Sequence, residues 1–182
     1  MSHALRSGVT LVLGGARSGK SRFAEDLVEE SGLDAVYVAT GQAFDDEMAA
    51  RIAEHRARRG EAWRTVEAPL DLAGALAAQD GPGRVLLVDC LTLWVSNLMM
   101  EEADVAAAGE ALAETLGTVQ APVVLVSSEV GLGIVPDNAM ARAYRDHAGR
   151  LNQRIAALAN QVFFIAAGLP MVLKPDNRTE QS

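Results

Sequence analysis

The stretch VTLVLGGARSGKS, residues 9–21, decides the fold. It opens as a short apolar run rich in β-branched residues, the composition of a buried strand. GGARSGKS (14–21) then satisfies G-x-x-x-x-G-K-[ST] at every fixed position. The chemistry behind that spacing is specific. Gly14 and Gly19 allow a tight turn through Gly15, Ala16, Arg17 and Ser18 whose N–H groups face inward. This nest and the start of the following helix hold an anion. Lys20 reaches the β- and γ-phosphates of a nucleotide, and the Ser21 hydroxyl is placed to ligate magnesium. Strand, glycine-rich turn and helix in that order are the setting in which the motif means a phosphate site.

Outward from this unit, strands and helices alternate. AVYVA (35–39), RVLLVD (84–89) and PVVLVSS (122–128) read as buried strands, and WRTVEA (63–68) as a further one. Helices are expected at about 20–30, 46–59, from Pro69 through LDLAGALAAQ, over LTLWVSNLMMEE and DVAAAGEALAETLGTV, and at 139–160. VFFIAAGLPMVLK is expected to form two strands around a Gly-Leu-Pro turn. The expectation is one α/β domain spanning 1–182, with loose ends at 1–8 and 175–182. Its sheet should be mostly parallel, with a C-terminal antiparallel hairpin and helices on both faces.

Bulk chemistry narrows the function. The 182 residues carry a formal net charge of −8, which argues against a nucleic-acid binder with a broad basic surface. A phosphorylated ligand must therefore meet a local basic pocket. Only Lys20 and Lys174 are lysines among the 16 Lys and Arg residues. The single cysteine, Cys90, rules out an intrachain disulfide and a cysteine-based zinc cluster. No apolar run reaches membrane-spanning length and no signal-peptide pattern is evident, so a cytosolic location is expected.

Three further places can carry chemistry. Asp89, ending RVLLVD, is positioned to hold magnesium or its water shell beside a nucleotide; it could also cap the helix starting at Leu91. RIAEHRARRG (51–60) sets Arg51, His55, Arg58 and Arg59 on one helical face. An imidazole among arginines suits a nucleoside triphosphate and can attack its α-phosphorus. By spacing alone, a solvated basic face accounts for the same pattern. SSEVGLGIVP (127–136) leaves the same sheet edge as the phosphate loop if the strands are parallel. Glu129 could meet a ligand hydroxyl or a metal shell there, while Gly131 and Gly133 would permit unusual backbone angles or close approach. A plain connector fits that loop equally well.

Taken together, GGARSGKSRFAE, YVATGQAFDDEMAARIAEHRARRG, WRTVEAP, VLLVDCLTLWVSNL and SSEVGLGIVPDNAMARAYRDHAGRLNQRIAALA resemble one family in order and across nearly the whole chain. It is the bifunctional adenosylcobinamide kinase / adenosylcobinamide-phosphate guanylyltransferase family of cobalamin biosynthesis. The resemblance implies a RecA-like P-loop fold, a homotrimer, and two reactions that use ATP or GTP with Mg²⁺ or Mn²⁺. The first phosphorylates the aminopropanol hydroxyl of adenosylcobinamide. The second transfers GMP from GTP to that phosphate through a histidine, which the match places at His55. It also implies nucleotide contacts at Gly14–Ser21, at Thr40, Gly41 and Gln42, at Arg56, Ala57, Arg58 and Arg59, and at Glu67 and Asp89. Two other readings stand beside it: a P-loop small-molecule kinase that makes no use of His55, and a nucleotide-binding switch module. No [NT]-K-x-D element specifies guanine, LKPD at 173–176 being a near miss.

Overall fold

The computed structural model of the chain describes residues 4–41 and 62–175. Helix 46–59, with Gln42, His55, Arg56, Ala57, Arg58 and Arg59, therefore lies outside the described residues. The strands are β1 (Val9–Gly14), β2 (Asp34–Ala39), β3 (Arg64–Glu67), β4 (Arg84–Asp89), β5 (Val123–Ser128), β6 (Gln161–Ala166) and β7 (Leu169–Lys174). The described helices are α1 (Lys20–Glu30), α2 (Leu72–Gln79), α3 (Leu91–Met100), α4 (Val105–Leu116) and α5 (Ala139–Leu158).

One sheet runs in the order β3-β2-β4-β5-β1-β6-β7, parallel except for the final β6–β7 pair. The expected mostly parallel sheet with a C-terminal hairpin is the one found. Its central strands are apolar at nearly every position because both faces are covered. Alternate residues separate into two cores. Leu11, Leu13, Leu86, Val88 and Leu125 face the layer built from α2 to α5. Val12, Leu87, Val124 and Val126 face α1, whose Ala24, Leu27 and Val28 pack on them. Burying one such side chain fully stabilises by roughly 1.5–3 kcal/mol. On the α1 side, Phe23 meets Phe163 edge-on with ring centroids 5.1 Å apart.

Several boundaries differ from the sequence reading. The helix expected from Pro69 starts at Leu72, because Asp71 caps it by accepting from the Gly74 N–H at 2.9 Å. The late helix starts at Ala139 as expected, after Asn138, which accepts from Ala141 N–H at 2.8 Å, but it ends at Leu158 rather than at 160. The hairpin turn is Ala167–Gly168, with φ of 51° and 78°, so Leu169 and Pro170 belong to β7. Two successive positive φ values make the tight turn that suits the twist of paired strands. Pro170 is tolerated because β7 is an edge strand. Lys174 donates to the carbonyls of Ala156 and Ala157, closing the last turn of α5. That gives the second lysine a structural role at a helix C-terminus.

Candidate nucleotide site

The sheet order brings the candidate residues to one edge. Gly14 ends β1 level with Ser128 on β5 and Ile165 on β6. Ala39 ends β2 level with Glu67 on one side and Asp89 on the other. Asp89 in turn pairs with Val126, which pairs with Val12. The acid thus sits one intervening strand away from the phosphate loop and two residues below its start.

The loop itself is shaped for an anion. Arg17 and Gly19 adopt φ of 54° and 96°, alternating with Ala16 and Ser18. This alternation turns successive N–H groups toward a common centre. Gly19 is the N-cap of α1 and supplies no side-chain cap, so the first-turn N–H groups have no side-chain oxygen bound to them. Lys20 Nζ donates to the Gly15 carbonyl at 3.1 Å, which holds the ammonium over the loop. Gly14 is required by closeness rather than by its backbone angle. A Cβ there would lie 2.5 Å from Ser18 Oγ and 2.7 Å from the Ile165 carbonyl. Ser18 Oγ is buried and finds no hydrogen-bond partner among the described residues.

Two contacts brace the loop from outside. Glu129 N–H donates to the Gly14 carbonyl at 3.0 Å, and Gly168 N–H donates to the Ser18 carbonyl at 2.8 Å. The second comes from the C-terminal hairpin turn, far away in sequence. Sequence reasoning missed it, since only the sheet order puts β6 beside β1.

Thr40 is wholly buried. Its hydroxyl donates to the Cys90 carbonyl at 2.7 Å and accepts from the Cys90 N–H at 2.8 Å. The side chain of this residue, which the resemblance makes a nucleotide contact, locks the end of β2 to the end of β4. Asn97 Nδ2 then holds the Thr40 and Pro69 carbonyls at 2.7 and 2.9 Å, a role the sequence did not signal. Gly41 follows directly, half-buried at the edge, and Glu67 is exposed.

The N-cap of α3 is Cys90, not Asp89, and it makes no side-chain cap. Asp89 is therefore not that helix's cap. The Cys90 thiol is pushed above its ordinary range first by burial and then by the neighbouring Asp89 carboxylate; Lys20 pulls the other way. One buried atom thus feels both the loop's lysine and the strand-end acid. Thr92 joins this corner to β5: its hydroxyl lies 3.2 Å from Cys90 Sγ and accepts from Ser128 N–H at 3.3 Å.

A magnesium ion bridging nucleotide phosphates keeps several waters and asks the protein for one or two oxygen donors. The Ser21 hydroxyl, in the first turn of α1, and the Asp89 carboxylate are donors of that kind. No group of three or more His, Cys, Asp or Glu side chains among the described residues would hold a metal unaided. A metal here would depend on the nucleotide's own phosphates.

In the late loop, Glu129 Oε1 accepts from the Gly131 N–H at 2.5 Å. That oxygen braces its own loop. A Cβ at Gly131 would lie 2.8 Å from the same oxygen, so the Glu129 carboxylate would have to shift to make room for it. Neither Gly131 nor Gly133 has a positive φ, so the unusual backbone angles expected there are not found.

A family model described as cobinamide kinase / cobinamide phosphate guanyltransferase matches residues 10–173. The chain belongs to this family. It is 55% identical over 166 residues to the bifunctional adenosylcobalamin biosynthesis protein CobP of Pseudomonas aeruginosa, covering 90% of this chain and 96% of that protein. It is 44% identical over 179 residues to the Escherichia coli protein CobU, of the same description, covering 90% and 98%. Members of the cobinamide kinase / guanyltransferase family are enzymes, which sets aside the switch-module reading. Among solved structures, an ATPase domain aligns with a TM-score of 0.53 at 10% identity, covering 95% of this chain and 78% of that one. The flagellar accessory protein FlaH from Methanocaldococcus jannaschii aligns at 0.52 and 12% identity, covering 93% and 79%. At such identities the likeness concerns the fold alone, and it is the expected P-loop fold.

Proposed function

We propose that this chain phosphorylates adenosylcobinamide and then converts the product to adenosylcobinamide-GDP through a guanylylated His55. The observation that carries the reading is the Gly14–Ser21 nest with Lys20 over it and Asp89 at the same sheet edge, in a chain of this family. In the first step the corrinoid hydroxyl oxygen attacks the γ-phosphorus of ATP or GTP. The bond to the β-phosphate oxygen breaks, the nucleoside diphosphate leaves, and the hydroxyl proton passes to solvent. The loop N–H groups and Lys20 stabilise the charge that moves onto the phosphate oxygens.

In the second step a neutral imidazole nitrogen of His55 attacks the α-phosphorus of GTP and expels pyrophosphate. The phosphate of adenosylcobinamide phosphate then attacks the same phosphorus. The P–N bond breaks, its electron pair returns to the imidazole, and a diphosphate linkage forms. Arg56, Arg58 and Arg59 would neutralise the triphosphate, with Thr40, Gly41, Gln42, Ala57 and Glu67 contacting the nucleotide. Magnesium or manganese, held through Ser21 and Asp89, would add charge neutralisation at the phosphates. A cytoplasmic setting fits a chain whose only cysteine is buried and reduced. A homotrimer fits the edge strand β7, where Leu169, Met171, Val172 and Leu173 are all exposed.

The test uses α- and γ-labelled GTP followed by denaturation. Acid-labile, alkali-stable α-label on the protein, absent in His55→Ala, is the expected result. Absence of α-label with either metal would leave a kinase alone.

A further inference from the structure

The phosphate loop accounts for the nucleotide end of the reaction and leaves the other substrate without a seat. The loop after β5 holds the two most exposed large apolar side chains of the described residues, Ile134 at 97% and Leu132 at 83%. Val135 beside them is 61% exposed, and Met140, in the first turn of α5, 69%. Residues 130–136, VGLGIVP, contain no charged or hydrogen-bonding side chain. Such a cluster in water is unfavourable unless something covers it.

Both ends of this loop are fastened. Glu129 ties it to the Gly14 carbonyl through its N–H and to Gly131 through its carboxylate. At the far end Arg142 Nη1 donates to the Pro136 and Asp137 carbonyls at 2.9 and 2.8 Å, and Asn138 caps α5. The apolar tip is thus presented on a held frame, which lowers the ordering cost of binding. Leu132 is three residues from Glu129, so it lies within about 11 Å of the bond to the phosphate loop.

We propose that Leu132, Ile134 and Val135, flanked by Met140, form the docking surface for the corrin macrocycle of the phosphoryl acceptor. This rests on the function proposed above. The acceptor hydroxyl must reach the γ-phosphate, and it sits on a short arm of a bulky ring. With the arm in the phosphate site, the ring must lie on the rim of that site. A corrin presents methyl groups and neutral amide arms, so an uncharged apolar surface matches it better than the arginine-rich segment 51–59. Amide arms projecting past the apolar contact would keep their water.

The experiment measures adenosylcobinamide KM, nucleotide KM and kcat of the kinase step, with sedimentation of each variant. For Leu132→Ser/Ile134→Ser, the corrinoid KM should rise roughly tenfold or more, as expected for losing burial of two aliphatic side chains. Nucleotide KM and molecular mass should stay as in the parent. Met100→Ser serves as the control. Met100 is an exposed apolar side chain at the end of α3, a helix that runs about 15 Å away from the site edge. A corrinoid KM within twofold of the parent's would overturn the docking surface while leaving the proposed function intact. An equal rise in Met100→Ser would overturn it as nonspecific. A fall in mass with the loss of affinity would overturn it in favour of an interface between copies. Absence of corrinoid turnover by the parent would remove the proposed function and this inference together.

Discussion

Two loops leave the same edge of the sheet from adjacent strands, and they have opposite chemistry. The one after β1 draws its polar groups inward: backbone N–H groups, a lysine and a buried hydroxyl around a centre meant for charge. The one after β5 turns the aliphatic side chains of Leu132, Ile134 and Val135 outward. A hydrogen bond from the Glu129 N–H to the Gly14 carbonyl couples them. The pairing shows how a transferase can divide its labour. The donor's charge is met by a rigid concave nest, and the bulk of the acceptor by an apolar rim whose position is set by that nest.

The largest expected effect tests whether the two loops are chemically independent. Lys20→Ala should lower kcat of the kinase step by roughly 10²–10³-fold, because a preorganised charge partner of the transferred phosphate is lost. Corrinoid binding in the absence of nucleotide, measured by equilibrium dialysis, should be unaffected. If corrinoid affinity collapsed as well, the division between the loops would be wrong. A smaller effect should reach both loops together. Gly14→Ala places a methyl against the Ile165 carbonyl and Ser18 Oγ, and the carbonyl cannot swing aside. The cost should be about 1–3 kcal/mol of stability, read as a lower denaturation midpoint, with weaker binding of both substrates because Gly14 also holds Glu129. Loss of nucleotide affinity alone would mean that the coupling bond carries little.

The smallest effect concerns the frame beneath both loops. Burial holds the Cys90 thiol above its ordinary range. The folded chain therefore keeps that proton when the unfolded chain has released it. Stability should be insensitive to this group below the ordinary thiol range and should decline as pH rises through and above it. Cys90→Ala should flatten that decline. An unchanged alkaline profile would assign the decline to other groups. At neutral pH the native protein should resist thiol reagents that react with it once unfolded.

Much of this arrangement can be read from the chain. β1, β2, β4 and β5 stand out because strands buried on both faces are apolar without interruption. The phosphate loop announces itself because its glycines, lysine and serine answer to local geometry. The features that escape a sequence reading depend on distant partners. The bracing role of Thr40 shows only when β2 and β4 pair and bring it to Cys90, 50 positions away. Asp89 has the character of a helix cap, but the strand runs one residue too far for that. The hairpin turn is hard to place because Ala167 gives no sign of its left-handed backbone, whereas the nearby proline does advertise a turn. Glu129 reads as a ligand contact because strand-end carboxylates often are, and its bond to Gly131 exists only with the loop in place.

The donation from Gly168 to Ser18 has a consequence for how the molecule comes into being. β1 is synthesised first, yet its two neighbours in the sheet are β5 and β6, and its nucleotide loop is buttressed by the turn after β6. A motif made before its supports is therefore among the last to acquire its finished shape. A growing chain would carry the full GGARSGKS signature for most of its synthesis without the scaffold that makes it a binding site. Nucleotide capture then becomes a report that β6 and its hairpin turn have arrived.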